Sequence, residues 1–160
     1  MAEDLEDKFL EALNKNIGIA RRICRLYFNN PEERDDMFQE IVYQLWKSYP
    51  GFRGNSKFST WMYRVSLNTA IGGVRKRYKS FRQEPLSDKL LQIAAIDESV
   101  EYGERMRLLY SVIPELSEVD KAILLLYLEG NDNEEISVIA GITKNNVSVK
   151  LVRIKRSLKN

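Results

Sequence analysis

The side chains that most often carry catalysis are missing from this sequence. It contains no histidine and a single cysteine, Cys24, which excludes Ser-His-Asp and Cys-His nucleophiles, an internal disulfide and multi-cysteine metal sites. These absences remove the usual tools of an enzyme without excluding one. The side chains that stand out by their spacing are cations, amides and aromatic rings, which are suited to binding. Nine basic residues and no acid lie in 41–83, and six basic residues and no acid lie in 136–160. Because clustered cations attract phosphates, these two blocks favour a polyanion as the partner.

The first basic block alternates aromatic rings with cations. The segment FRGNSKFSTWMYRVSLNTA (52–70) is typical of proteins in which rings stack on unpaired bases while cations follow the backbone. The helical spacing of Phe58 and Trp61 instead favours a place for both in the core. Arg64 and Asn68 lie four residues apart, so one helix face presents a cation and an amide together beside a short polar loop. That face is a candidate for holding an extruded base.

The last thirty residues have the pattern of a helix-turn-helix. Asp132 and Glu135 are spaced as a capping box, Gly141 suits a left-handed helix end, and Thr143 caps the next helix. In that second helix a single apolar stripe is formed by Val147, Leu151, Ile154 and Leu158. No acid interrupts the opposite, basic face, which favours DNA binding over an ordinary helical hairpin with a solvated outer face.

The elements that position these residues are helical nearly throughout, which predicts an all-α fold. Apolar residues at helical spacing predict helix within the first 27 residues. Asn30-Pro31 predicts a helix start, through a side-chain cap and a proline in the first turn, and Tyr49-Pro50-Gly51 predicts its end. The next helix is expected from Phe58 to about Tyr78. Gly72-Gly73 is expected to weaken or bend it, at roughly 1 kcal/mol per glycine.

Two small helical domains joined by a flexible linker are expected, with boundaries at 1–83, 84–99 and 100–160. The linker is assigned because it is acidic, contains a proline and lacks a clear apolar period. In the second domain, a helix from about Val100 to Ile113 precedes a helix that Ser117 caps and Gly130 ends.

Composition also bears on location and on ligands. No run of 18 apolar residues is present, and the N-terminus is acidic where a signal peptide would be basic and then apolar. The sequence therefore predicts a cytoplasmic protein that does not insert into a membrane. No cofactor, metal or small-molecule substrate is expected.

Three segments carry a resemblance to a known family. DDMFQEIVYQLW (35–46) and the segment at 52–70 resemble region two of bacterial extracytoplasmic-function (ECF) sigma factors of the sigma-70 family. LSEVDKAILLLYLEGNDNEEISVIAGITKNNVSVKLVRIKRSLK (116–159) resembles their region four. The resemblance implies that region two occupies the first domain and region four the second. It also implies a non-enzymatic subunit that binds core RNA polymerase and directs initiation at promoters.

The resemblance also implies three sets of binding residues. Those that would dock on the clamp helices of the polymerase are Asp35, Asp36, Gln39, Glu40, Tyr43, Gln44 and Trp46. Those that would read the −10 element as a melted non-template strand are Phe52, Arg53, Asn55, Ser56, Lys57, Phe58, Arg64, Asn68, Arg75, Lys76 and Arg77. Those that would read the −35 element as duplex are Lys144, Asn145, Asn146, Ser148, Val149, Lys150, Val152, Arg153 and Arg156. The polymerase flap and an anti-sigma factor are further expected partners.

Two other classes of protein compete with this interpretation. A helix-turn-helix repressor or activator that acts alone would need a dimer face, and no heptad seam is evident in the sequence. A recombinase with a C-terminal helix-turn-helix would need an upstream α/β domain, and the N-terminal half shows no alternation of strands and helices.

The family's recognition helix more often opens with small residues than with Lys144-Asn145-Asn146, which predicts an altered promoter preference.

Overall fold

The computed structural model describes residues 2–76 and 115–159, and within these ranges it contains seven α-helices, a 3₁₀ turn and no strand. The all-α prediction is therefore confirmed. The chain separates into two compact units, Met1–Glu98 and Ser99–Asn160, called unit 1 and unit 2. The linker expected at 84–99, the helix expected from Val100 to Ile113, and Arg77 lie outside the described residues. The three domain boundaries remain predictions.

The described residues of unit 1, 2–76, contain four α-helices. They are α1 (Ala2–Lys15), α2 (Ile17–Tyr27), α3 (Pro31–Ser48) and α4 (Phe58–Lys76), with the 3₁₀ turn Tyr49–Gly51 after α3. The start of α3 is the predicted one. The side chain of Asn30 accepts a hydrogen bond of 2.8 Å from the backbone N–H of Glu32, and Pro31 occupies the first turn, where its missing N–H costs nothing.

The core of unit 1 is the mutual packing of α2, α3 and α4. Fully buried side chains from the three helices include Ile23, Ile41, Leu45 and Met62. Helix α4 runs uninterrupted to Lys76 through the glycine pair that was expected to weaken or bend it. Ala70 and Gly73 are buried, so packing against the rest of the unit offsets the low helix propensity of glycine.

In its described part, 115–159, unit 2 contains α5 (Glu118–Leu128), α6 (Asn133–Ala140) and α7 (Lys144–Lys159), each of which contacts the other two. Its termini follow the sequence predictions. Ser117 caps α5, the capping box of Asp132 and Glu135 is formed at α6, and Gly141 is left-handed with a φ of 72°. Thr143 Oγ1 accepts from the backbone N–H of Asn146 at 3.1 Å. Gly141 and the Thr143 cap fix the turn between α6 and α7 and therefore the direction in which α7 leaves it.

No helix in the described ranges combines the length and the apolar content that a bilayer crossing requires. The same ranges contain no group of three or more cysteine, aspartate or glutamate side chains placed to hold a metal ion.

Candidate nucleic-acid interface

Six aromatic rings of unit 1 form one cluster beneath the loop that joins α3 to α4. This aromatic cluster consists of Phe9, Trp46, Tyr49, Phe52, Phe58 and Trp61. Tyr49 is its hub, because its ring centroid lies 5.1 Å from that of Phe9 and 6.2 Å from that of Trp61. Phe9 comes from α1, so the cluster joins the first helix of the unit to the loop.

The cluster closes the loop at both ends. The rings of Phe52 and Phe58 meet edge to face with centroids 5.8 Å apart, and every residue from Arg53 to Lys57 between them is exposed. Gly54 has a φ of 72°, which is the conformation that glycine adopts without strain. The loop is thus a short polar tip held on an aromatic base. Phe58 and Trp61, expected in the core, are half-buried members of that base.

Arg64 and Asn68 lie on the solvent side of α4, and both are exposed. The opposite side of the helix is anchored by Met62, Ser66 and Leu67, which are buried. Neither the Arg64 nor the Asn68 side chain makes a hydrogen bond or ion pair with another described residue, so both side chains present donors to a ligand. Arg75 and Lys76, predicted to hold phosphates, are exposed at the end of the same helix.

The residues predicted to bind polymerase on α3 differ in accessibility. Asp35 and Asp36 are exposed, whereas Glu40 is only 9% exposed and accepts a hydrogen bond of 3.1 Å from Gln44 Nε2. Four of these residues are half-buried, namely Gln39, Tyr43, Gln44 and Trp46. Trp46 lies 5.2 Å from Phe9 between ring centroids. The exposed carboxylates are therefore the most accessible part of the predicted polymerase face, and Glu40 holds Gln44.

Sequence reasoning missed a polar cavity of about 110 Å³ between α2 and α3. The Arg21 guanidinium lies 3.8 Å from the ring centroid of Phe38, and Arg34 Nε donates to the backbone carbonyl of Phe28 at 2.6 Å. Cys24 lines the same cavity, and burial raises the pKa of its thiol to about 12. The thiol stays protonated at neutral pH, so it packs as a small apolar group and is a poor nucleophile.

Helix α7 presents the second candidate surface. Its inner face is the predicted stripe, in which Val147, Leu151 and Ile154 are buried. The exposed residues opposite, which we call the α7 outer face, are Lys144, Asn145, Asn146, Val149, Val152, Arg153 and Arg156. The face carries three cations and no acid, and none of the three cations has a side-chain partner among the described residues. A helix of this kind fits the major groove and meets phosphates at its borders.

Three polar residues of α7 are engaged within unit 2. Lys150 Nζ lies 3.4 Å from Asp120 Oδ1, and Lys155 Nζ lies 4.4 Å from the ring centroid of Tyr127. Ser148 Oγ accepts from Asn133 Nδ2 at 3.1 Å. Lys150 and Ser148, both predicted to contact the −35 element, therefore also tie α7 to α5 and α6. Sequence spacing places Lys150 at the edge of the buried stripe, but it did not identify the partners Asp120 and Asn133, which lie 15 to 30 residues away.

Comparison with known proteins places both units in one family. Sigma-70 region 2 matches residues 13–80, and Sigma-70, region 4 matches residues 106–158. Together, the matches cover about three quarters of the chain. The ECF RNA polymerase sigma factor SigG of Mycobacterium tuberculosis is 33% identical over 82 residues, which are 51% of this chain and 21% of SigG. The chain thus spans about a fifth of the length of that relative.

A second relative and a solved structure match over longer stretches. The RNA polymerase sigma-H factor of Pseudomonas aeruginosa is 26% identical over 163 residues, covering 93% of this chain and 81% of that protein. The sigma factor RpoE from Bartonella quintana, solved in complex with the anti-sigma factor NepR, aligns with a TM-score of 0.62 and 16% identity. That alignment covers 98% of this chain and 95% of RpoE, and it shows a shared fold. The chain therefore belongs to the sigma-70 family of RNA polymerase sigma factors, in the extracytoplasmic-function group.

Proposed function

We propose that this chain binds core RNA polymerase and directs it to promoters by reading one DNA element unpaired and another as duplex. It acts as an initiation factor and not as an enzyme, in the cytoplasm. The observation that carries the proposal is the presence of two exposed, cationic and acid-free faces, one on α4 of unit 1 and one on α7 of unit 2. These units match two different regions of the same family.

Unit 1 captures a base of the melted −10 element. Arg64 and Asn68 supply a cation and an amide on one face of α4, and the tip of the neighbouring loop is fully exposed. Extruding a base costs a few kcal/mol of stacking, which hydrogen bonds to the base edge and ring contacts must offset. The half-buried rings of Phe52 and Phe58 provide the apolar floor, and Arg75 and Lys76 hold phosphates.

Unit 2 reads the −35 element in the major groove. The side chains of Asn145, Asn146 and Arg153 project from the exposed side of α7, where amides and guanidinium groups match the edges of adenine and guanine. Lys144 and Arg156, near the two ends of the outer face, contact phosphates.

The exposed carboxylates of α3, Asp35 and Asp36, carry the contact with the polymerase clamp helices, and the flap is the second contact. Because the structural relative RpoE was solved with an anti-sigma factor, an anti-sigma partner for this chain is part of the proposal.

Binding to core polymerase tests the role directly. The full chain, mixed with purified bacterial core RNA polymerase, is expected to co-elute with it in size-exclusion chromatography. A repressor or activator that works without polymerase contacts would elute alone, and that result would overturn the proposal.

The base-capture step is tested by Asn68→Ala in the full chain. We expect open-complex formation to weaken roughly fivefold, the equivalent of one hydrogen bond of about 1 kcal/mol, while polymerase binding and duplex binding stay unchanged. Asn14→Ala is the matched control, since Asn14 is an exposed asparagine on α1 of the same unit. Equal loss of open-complex formation and duplex binding would contradict the assignment.

A further inference from the structure

Two valines interrupt the polar outer face of α7. Val149 is 40% exposed and Val152 is 49% exposed. They lie three residues apart, so their side chains are neighbours on the helix surface. A single exposed valine needs no explanation, but this pair stands between the amides and the cations that the proposed function assigns to DNA.

The position of Val149 is central on this face. With 100° of rotation per residue, it projects almost directly away from the buried stripe of Val147, Leu151 and Ile154. Asn145 lies one turn before it and Arg153 one turn after it on the same side, and both are exposed. A helix that enters the groove with this side therefore brings Val149 to the base edges together with them.

Valine offers no hydrogen bond, so its contribution to base reading is limited to apolar contact. In the major groove the apolar group on a base edge is the 5-methyl group of thymine. We propose that Val149 and Val152 select −35 sequences with thymine opposite them by packing against thymine methyl groups. This inference rests on the proposal that unit 2 reads duplex DNA, and it specifies which base α7 recognises.

The experiment is a double-mutant cycle in which a protein side chain and a DNA methyl group are removed separately and together. The full chain first selects a duplex from a random library, and each thymine of that duplex is then replaced in turn by deoxyuridine, which pairs identically but lacks the methyl group. Kd is measured for the wild-type chain, Val149→Ala and Val152→Ala. Val138→Ala is the matched control, because Val138 is 50% exposed but lies on α6.

For the wild-type chain, we expect deoxyuridine at one or two positions to raise Kd about fourfold per methyl group, the factor that corresponds to ~0.8 kcal/mol of apolar burial. The alanine variants should lose this discrimination at their own position, and Val138→Ala should keep it. An equal effect of deoxyuridine on wild type and both variants would overturn the inference, as would a selected site without thymine. Failure of the wild-type chain to select any duplex would instead count against the proposed reading by unit 2.

Discussion

At the scale of single residues, the cations of α7 differ in what they touch. Arg153 is exposed and has no side-chain partner among the described residues, whereas Lys155 lies over the ring of Tyr127 and Lys150 pairs with Asp120. A guanidinium free of internal contacts can form two parallel hydrogen bonds to guanine, while an ammonium held over a ring acts as a positive charge near the backbone. Sequence preference is therefore expected to depend on Arg153 and much less on the two lysines.

Arg153→Ala is expected to relax the preference for one base pair of the −35 element by about 1–3 kcal/mol. Lys155→Ala is the control and should weaken all duplexes evenly. The measurement is Kd for the selected duplex and for its single-base variants. An unchanged order of preference in Arg153→Ala would demote this residue to a phosphate contact.

The buried thiol of Cys24 is expected to make the stability of unit 1 depend on pH. Burial raises the pKa of its thiol from 9.0 to about 12. Between these values the thiol is ionised in the unfolded state and protonated in the folded state, so stability falls as the pH rises through that window and is insensitive to this group at lower pH. We expect a loss of roughly 1 kcal/mol per pH unit in the free energy of unfolding.

Urea unfolding at pH 7, 9 and 10 measures the effect of Cys24, with Cys24→Ala as the reference that removes the thiol and keeps the other titrating groups. The wild-type chain should lose more stability above pH 9 than the variant does. Parallel pH profiles for the two proteins would contradict the buried, protonated thiol.

At the scale of elements, the aromatic cluster links α1 to the loop that precedes α4. Phe9 is fully buried and lies within about 5 Å of both Trp46 and Tyr49 between ring centroids. Tyr49 in turn contacts both ends of the loop through Phe52 and Phe58. Because the loop tip itself is exposed throughout, its position depends on these rings beneath it.

Phe9→Leu is expected to lower the stability of unit 1 by about 1–3 kcal/mol, through the lost ring contacts and the smaller side chain. It should also weaken open-complex formation, because the loop loses part of its support. Phe28→Leu is the control, since Phe28 is buried but is not a member of the cluster. If Phe28→Leu weakens open-complex formation as much as Phe9→Leu does for the same loss of stability, the support of the loop by α1 through Phe9 is contradicted.

Two glycines are expected to respond in opposite directions to alanine. A Cβ at Gly72 meets no atom within 4 Å, and its backbone is helical, so Gly72→Ala should stabilise α4 by about 0.5–1 kcal/mol. Gly141 has a φ of 72°, so Gly141→Ala should destabilise the turn between α6 and α7 by about 1–2 kcal/mol. Urea unfolding measures both effects, and a destabilising Gly72→Ala would contradict the open space at that position.

The parts of the fold that the sequence predicted are those set by neighbouring residues. The caps at Asn30, Ser117 and Asp132 and the left-handed Gly141 each depend on side chains within a few positions, so their spacing is readable. The aromatic cluster is different, because Phe9 meets Tyr49 across 40 residues of chain. The partners of Lys150 and Lys155 on α5, Asp120 and Tyr127, likewise become visible only in the packed structure. Helical spacing alone placed Lys150 at the edge of the buried stripe, without naming its partner.

At the scale of the whole molecule, the two units divide the proposed work. Unit 1 combines the exposed Arg64 and Asn68 of α4 with exposed carboxylates on α3, and unit 2 presents the exposed, cationic outer face of α7. Each unit has its own buried core, so a substitution on one exposed face should leave the other unit folded. We therefore expect the two units to read DNA separately, so that unit 1 determines one block of promoter sequence and unit 2 determines another.

Transcription from a library of randomised templates by core RNA polymerase, with and without the full chain, tests that claim most directly. The chain should produce discrete start sites preceded by two preferred sequence blocks. Asn68→Ala should alter preference only in the block nearest the start, and Arg153→Ala only in the upstream block. Identical start sites without the chain, or loss of preference in the same block from both variants, would contradict the account.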